Sequence, residues 1–302
     1  MTISSLDPSS QSFLTGLNQI QQRLQTAQQQ LTTGLKINNV SDDPTEIADL
    51  WQTRSNLGQV QQINSNLGRV QTEVNTAESV LENAVTLVER AETLGAQGAS
   101  DTTDANTRQN LANELGSVLQ QLVSTANTNV EGRYVFAGDN DQTAPYSYDP
   151  TQSYPVSSYQ GSSSTRLIQA PDGSTFSVAL TAQQIFDSPN AQQNVFTSIS
   201  SLQQALLNND TAGVNSALSD VQSSDQFLNQ QLAWYGTAQD RVASSLNYCQ
   251  NYQTQLQTQL SGIQDADETA SITQLTQAQT QLQAALESRA QIPKTSLFDY
   301  LA

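Results

Sequence analysis

Between Phe13 and Leu31 the apolar residues Phe13, Leu17, Ile20, Leu24, Ala27 and Leu31 alternate in spacings of four and three. That rhythm lines one edge of a helix and repeats every seven residues. Glutamine fills many intervening places, Gln28, Gln29 and Gln30 among them, so the stripe is narrow. Gly34 weakens the helix, and Lys36 sits near its end, where a cation suits the helix dipole. The longest seam runs through Val60, Ile63, Leu67, Val70, Val74, Ala77, Leu81, Ala84, Val88 and Ala91, with Gly95 and Gly98 expected to end the helix. A further helix is expected from about Asp104 to Val130, with Leu111, Leu115, Val118, Leu122 and Ala126 inward.

The rhythm returns late in the chain. Val242, Leu246, Cys249, Gln253, Leu256, Leu260 and Ile263 again step by fours and threes. The acidic stretch Asp265-Ala266-Asp267-Glu268 shifts the phase, Ile272, Leu275, Leu282 and Leu286 restart it, and Pro293 ends it. The Ile199, Leu202, Leu206 and Leu207 group marks a shorter helix, and Asp210-Thr211-Ala212 can start the next. A start signal also stands at Asp43-Pro44-Thr45-Glu46: Asp43 as cap, Pro44 at the first helical position, and Glu46 reaching back to the cap.

Residues 132–186 read differently. Tyr134-Val135-Phe136 suggests a short strand. Arg166–Ala170 and Thr175–Leu180 flank Pro171-Asp172-Gly173, which is hairpin turn chemistry. Tyr146, Tyr148, Tyr154 and Tyr159 cluster among Pro, Ser and Gly. A small β core accounts for these rings better than a sugar-binding surface does. The expected fold is mainly α with a small β insert: a long antiparallel helical rod formed by both chain ends, with the β domain at the tip. The expected division is terminal coiled-coil helices at 1–40 and 265–302, a helical rod domain at 41–140 and 187–264, and a β insert at 141–186. A helix with so narrow an apolar face needs a partner, and the simplest partner for one terminal seam is the other.

Composition removes most chemistry. Only 13% of the 302 residues are charged, yet the net charge is −17, so phosphate backbones and anionic lipids are repelled. No apolar run is long enough to span a bilayer, and Met1–Asp7 lacks the pattern of a cleaved signal peptide. Without histidine there is no Ser–His or Cys–His pair and no common metal ligand. The single Cys249 falls on an apolar seam and reads as a core thiol. Asp101, Asp104, Asp265, Asp267 and Glu268 lack calcium-loop spacing and read as helix caps or a solvated face. No enzyme activity, cofactor, metal, nucleic acid or membrane partner is expected.

Two segments carry a resemblance. Leu31-Thr32-Thr33-Gly34-Leu35-Lys36-Ile37-Asn38 with Ser41-Asp42-Asp43-Pro44 resembles the N-terminal signature of the flagellin family, and Ile263-Gln264-Asp265-Ala266-Asp267 resembles the entry to its C-terminal helix. Two more stretches, Asn127–Gly138 and Ser296-Leu297-Phe298-Asp299-Tyr300-Leu301, look more like the hook-associated branch of that family than like filament-forming members. The resemblance implies a secreted structural protein of the bacterial flagellum. It implies export without a cleaved signal, and terminal helices that assemble with copies of the chain, with neighbouring hook-associated proteins or with flagellin. An export chaperone is a further partner of such proteins. The expected assembly interface is Phe13, Leu17, Ile20, Leu24, Leu31, Ile272, Leu275, Leu282, Leu286, Leu297, Phe298, Tyr300 and Leu301. Filament flagellin itself, or a secreted coiled-coil scaffold of the needle-tip kind, stands as the alternative.

Overall fold

The computed structural model describes residues 8–152 and 154–291. They fold into two compact units, Met1–Gln59 with Tyr252–Ala302, and Val60–Asn251. Seven α-helices dominate the described residues: α1 (Pro8–Thr33), α2 (Ile47–Ala99), α3 (Ala105–Ala126), α4 (Ala182–Phe186), α5 (Val195–Leu207), α6 (Thr211–Gln264) and α7 (Glu268–Ala290). Two antiparallel hairpins complete them: β1 (Asn129–Val130) with β2 (Arg133–Tyr134), and β3 (Leu167–Gln169) with β4 (Thr175–Ser177). The fold is thus mainly helical with a small β content, as the apolar rhythm implies.

The second unit has a core organised by the α2 seam. Val60, Leu67, Val70, Val74, Ala77, Leu81, Ala84, Val88 and Ala91 are all buried, and Ile63 is half-buried. Val242 and Cys249 of α6 are fully buried too, and burial pushes the thiol pKa up, which keeps it protonated and inert.

Gly95 and Gly98 do not end α2, which continues to Ala99. They are places of close approach. A Cβ on Gly95 would lie 2.9 Å from Leu202 Cδ2, and one on Gly98 would run into Leu206 Cδ2. Both leucines belong to α5 and are almost fully buried, so neither has room to retreat. The end of α2 is instead closed by a residue with no warning in the local pattern. The guanidinium of Arg108, only 6% exposed, donates from Nε to the Gly98 carbonyl at 2.9 Å and from Nη2 to Ser100 O at 3.1 Å. Its Nη1 donates to Asn209 Oδ1 at 2.6 Å. One side chain therefore satisfies orphan carbonyls at the helix end and places its charge at the negative end of the dipole.

The tyrosine-rich region builds an aromatic core. Phe136, Phe186, Phe196 and Tyr235 are buried, with Phe136 edge-on to Phe186 at 6.1 Å and to Tyr235 at 6.5 Å. Tyr146 joins through Phe196 at 5.0 Å and Tyr159 through Tyr146 at 5.7 Å. Two of the hydroxyls are hydrogen-bonded to backbone: Tyr159 Oη donates to Phe136 O at 3.1 Å, and Tyr235 Oη accepts from the Leu180 N–H at 3.1 Å. The 171–173 turn closes β3–β4 with Ile168 opposite Phe176 and Gly173 at φ +84°. Helix α4 starts with a capping box, Thr181 and Gln184 exchanging side-chain and backbone bonds, a short T-x-x-Q signal that the longer patterns obscured.

Two outcomes test this packing. Gly98→Ala should destabilise the protein by about 1–2 kcal/mol in urea denaturation, because overpacking against Leu206 outweighs the roughly 1 kcal/mol helical gain of alanine. Gly68→Ala, in the same helix with nothing within 4 Å of the added Cβ, should instead stabilise by about 0.5–1 kcal/mol. The second outcome concerns Glu92, whose pKa is raised by desolvation first and then by Asp225 and Glu89. A raised carboxyl pKa disfavours the folded state at neutral pH, and that penalty disappears once pH falls below the ordinary value of 4.5. Glu92→Gln should therefore raise the urea midpoint at pH 7 and lose that advantage below the ordinary value.

Candidate assembly interface

The first unit is built on α1 and α7. Gly34, at φ +70°, ends α1 with its N–H donating to Gln30 O at 2.8 Å. That left-handed turn is cheap only for glycine. The chain then meets the break between α6 and α7. Lys36 N–H donates to Gln264 O at 2.6 Å, Ala266 N–H donates to Gly34 O at 2.9 Å, and Leu35 pairs antiparallel with Asp265. Arg54 Nη2 adds a bond to Gln264 Oε1 at 2.7 Å. The two segments that carry the family resemblance are thus stitched to each other.

Beyond that stitch, α7 runs back along α1 in the antiparallel sense. Asp267 caps α7 by accepting from Ala270 N–H at 2.9 Å. Ser271 Oγ donates to Gln30 Oε1 at 3.3 Å near one end of the pair. At the other end Arg289 Nη2 donates to Ser10 Oγ at 3.0 Å, with the guanidinium 5.4 Å from the centre of the Phe13 ring.

The packed face is made of small residues. Ala27, Ser271 and Ala278 are buried, whereas Phe13, Leu17, Ile20, Leu24 and Leu31 on α1 and Leu275 and Leu282 on α7 are only half-buried. On α7 the inward line is Ser271, Leu275, Ala278, Leu282 and Ala285. Ile272 and Leu286, read from sequence as part of the same line, each sit one position to its side and are 54% and 53% exposed. One position inward on α7 stand a serine and an alanine, Ser271 and Ala285. Leu14 of α1 is likewise 44% exposed. Leu297, Phe298, Tyr300 and Leu301 lie outside the described residues.

The start signal at Asp43 works differently from the expected box. Asp43 Oδ1 accepts from Glu46 N–H at 3.3 Å and from Thr45 Oγ1 at 2.7 Å, and these bonds, Thr45 first, hold its pKa below the usual value. Pro44 and Glu46 lie in the turn before α2, which begins at Ile47. The Glu46 carboxylate turns to Lys36 Nζ at 3.3 Å rather than back to the cap, because the cation that leaves α1 competes for it. Asp42 Oδ2 accepts from the N–H groups of Asn38 and Asn39 at 2.9 and 2.7 Å, locking the loop.

The Asn127–Gly138 stretch, in the second unit, has a structural account at each distinctive position. The Asn127 side chain accepts from Tyr146 N–H at 3.0 Å and donates to Tyr146 O at 2.7 Å, clamping the aromatic segment to the end of α3. Glu131 and Gly132 both take positive φ, +53° and +84°, in the turn between β1 and β2. Gly138 has φ +66°, and a Cβ there would run into the Ser162 carbonyl oxygen. Among the described residues no group of three or more His, Cys, Asp or Glu is placed to hold a metal ion, and no helix is long and apolar enough to cross a membrane.

Comparison with known proteins agrees with this architecture. The profile of the bacterial flagellin N-terminal helical region matches residues 4–141, and that of the C-terminal helical region matches residues 211–301. The flagellar hook-associated protein 3 of Escherichia coli (strain K12) is 26% identical over 295 residues, covering 89% of this chain and 90% of that protein. A Vibrio parahaemolyticus structure assigned as a flagellar hook-associated protein superposes with a TM-score of 0.66 at 19% identity, covering 74% of this chain and 100% of that one. The flagellar junction protein of Legionella pneumophila gives a TM-score of 0.59 at 13% identity, covering 72% of this chain and 99% of that one. The matched regions include both stitched segments and most of the chain around them, and the chain therefore belongs to the bacterial flagellin family, as a structural component of the flagellum rather than an enzyme.

Proposed function

We propose that this protein is a subunit of the junction between hook and filament, held there by packing of α1 and α7 against neighbouring subunits. The observation that carries the reading is the incomplete burial of the terminal helix pair. Leu14, Ile272 and Leu286 stand exposed beside a seam whose larger residues are only half-buried. Exposed leucines are ordinary singly, but aligned on two packed helices they form a face that a neighbour can cover. A contact between unlike faces of successive copies does not close on itself and generates a helical assembly. The names of the similar proteins favour the junction over the filament body, and the Asn127–Gly138 stretch supports the same choice. The site of action is the flagellum outside the cell. The partners are copies of the chain and the adjoining hook-associated proteins or flagellin, with an export chaperone before assembly.

Two measurements test this. Immunogold labelling of intact flagella, with an antibody raised against residues 141–186, should give one band where hook meets filament. Label along the whole filament would make the protein a filament subunit, and absence of label would remove it from the flagellum. Second, the triple variant Leu14→Ser, Ile272→Ser, Leu286→Ser should abolish that band. Its thermal unfolding should stay close to wild type, because each substitution at an exposed position changes stability by about 0.5 kcal/mol or less. Normal incorporation of the triple variant would show that this face is not the interface.

A further inference from the structure

The aromatic core of the second unit leaves one hydroxyl unaccounted for. Tyr146 is 2% exposed, with its ring edge-on to Phe196 and tilted against Tyr159. The Asn127 side chain holds its backbone at both polar groups. Yet Tyr146 Oη is buried and has no hydrogen-bond partner among the described residues. A buried phenol left bare costs enough to shift a folding equilibrium roughly tenfold.

Three other buried side-chain oxygens share that condition, Asn64 Oδ1, Ser200 Oγ and Asp225 Oδ1, and each has a simpler remedy. Asn64 and Asp225 are only half-buried residues, so their side chains have open surface to turn toward. Ser200 stands within α5, where a serine hydroxyl can rotate to the carbonyl four residues back. The Tyr146 oxygen sits at the end of a rigid ring and has no such freedom.

The polar groups that bear on it are engaged elsewhere. Tyr154 Oη pairs with Thr197 Oγ1 at 2.6 Å, and Tyr159 Oη is bonded to Phe136 O. Asn194 Nδ2 donates to Asp187 Oδ1 at 2.7 Å and to Ser188 O at 3.3 Å. Burial first, and then the charge of Asp187, push the Tyr146 pKa up, so the phenol keeps its proton and remains a donor. Asp187, half-buried at the end of α4, has acceptor capacity to spare, because a carboxylate offers about four lone-pair sites.

We infer that an ordered internal water molecule accepts a hydrogen bond from Tyr146 Oη and donates one to the Asp187 carboxylate. Water is the small polar molecule that supplies both an acceptor and a donor, and such waters stand where buried polar groups lack protein partners. The bridge ties the segment that Asn127 clamps to the end of α3 onto the connection between α4 and α5. It is independent of how the chain assembles.

The test uses the full chain. Tyr146→Phe removes only the oxygen. With the bridge in place, the variant loses a net favourable bond, and its folding equilibrium constant from urea denaturation should fall about fivefold. A bare hydroxyl predicts the opposite sign, since deleting an unsatisfied buried group strengthens folding. In an Asp187→Ala background the loss from Tyr146→Phe should shrink to less than about twofold, because the bridge is already broken. A crystal structure should show a water within about 2.6–3.2 Å of both Tyr146 Oη and the Asp187 carboxylate. An unchanged or strengthened fold in Tyr146→Phe overturns the inference. So does the same loss with and without Asp187, which would assign the effect to packing, or a crystal structure with no water at that place.

Discussion

Two helices packed side by side hide only the strip between them, and that limit governs the terminal unit of this protein. The buried residues of α1 and α7 are Ala27, Ser271 and Ala278, small side chains that contribute little apolar area themselves. The larger residues, from Phe13 through Leu31 and at Leu275 and Leu282, flank the contact and keep part of their surface in water. What positions the pair is polar: the exchange of backbone bonds between the Gly34–Lys36 turn and the Gln264–Ala266 break, reinforced by Asp267 as cap and Arg289 at the far end. The geometry is specified locally while the burial is left incomplete.

The second unit solves the same problem by adding layers. The α2 seam is covered along its length, α5 comes close enough to Gly95 and Gly98 that a methyl group would intrude, and Arg108 closes the helix end with three hydrogen bonds. The aromatic cluster around Phe136 then fills the region where helices give way to hairpins. The two units have the same polar, weakly charged composition on their helical surfaces, and threonines such as Thr273, Thr276 and Thr280 donate to carbonyls four residues back. They differ in how many elements surround each seam.

Much of this was legible because a seven-residue rhythm is a direct image of a buried helical strip. The α2 seam is the clearest case, and the 171–173 turn and the Asp104 cap follow from turn and cap chemistry alone. The misreadings share a cause: the deciding neighbour is distant in sequence. Gly95 and Gly98 look like helix terminators until Leu202 and Leu206 are set against them. Ile272 and Leu286, expected on the α7 seam, stand beside it, with Ser271 and Ala285 one position inward. Glu46 fits a capping box until Lys36 returns to claim its carboxylate. Arg108 shows no local sign of burial, since its three acceptors lie on segments around residues 98–100 and 209.

The size of the exposed terminal face bears on when it is used. Full burial of a leucine or isoleucine is worth roughly 1.5–3 kcal/mol, so covering the exposed half of Leu14, Ile272 and Leu286 yields about 3 kcal/mol in all. Bringing two free subunits together costs an estimated 4–15 kcal/mol in lost motion, before the repulsion between two chains of charge −17 is counted. One such contact between isolated subunits therefore falls short. In the proposed helical array a subunit would meet several neighbours at once, lose its motion a single time, and gain a contact with each of them. On that proposal, an apolar face this small would keep free subunits apart and hold them only where an array already presents more than one partner.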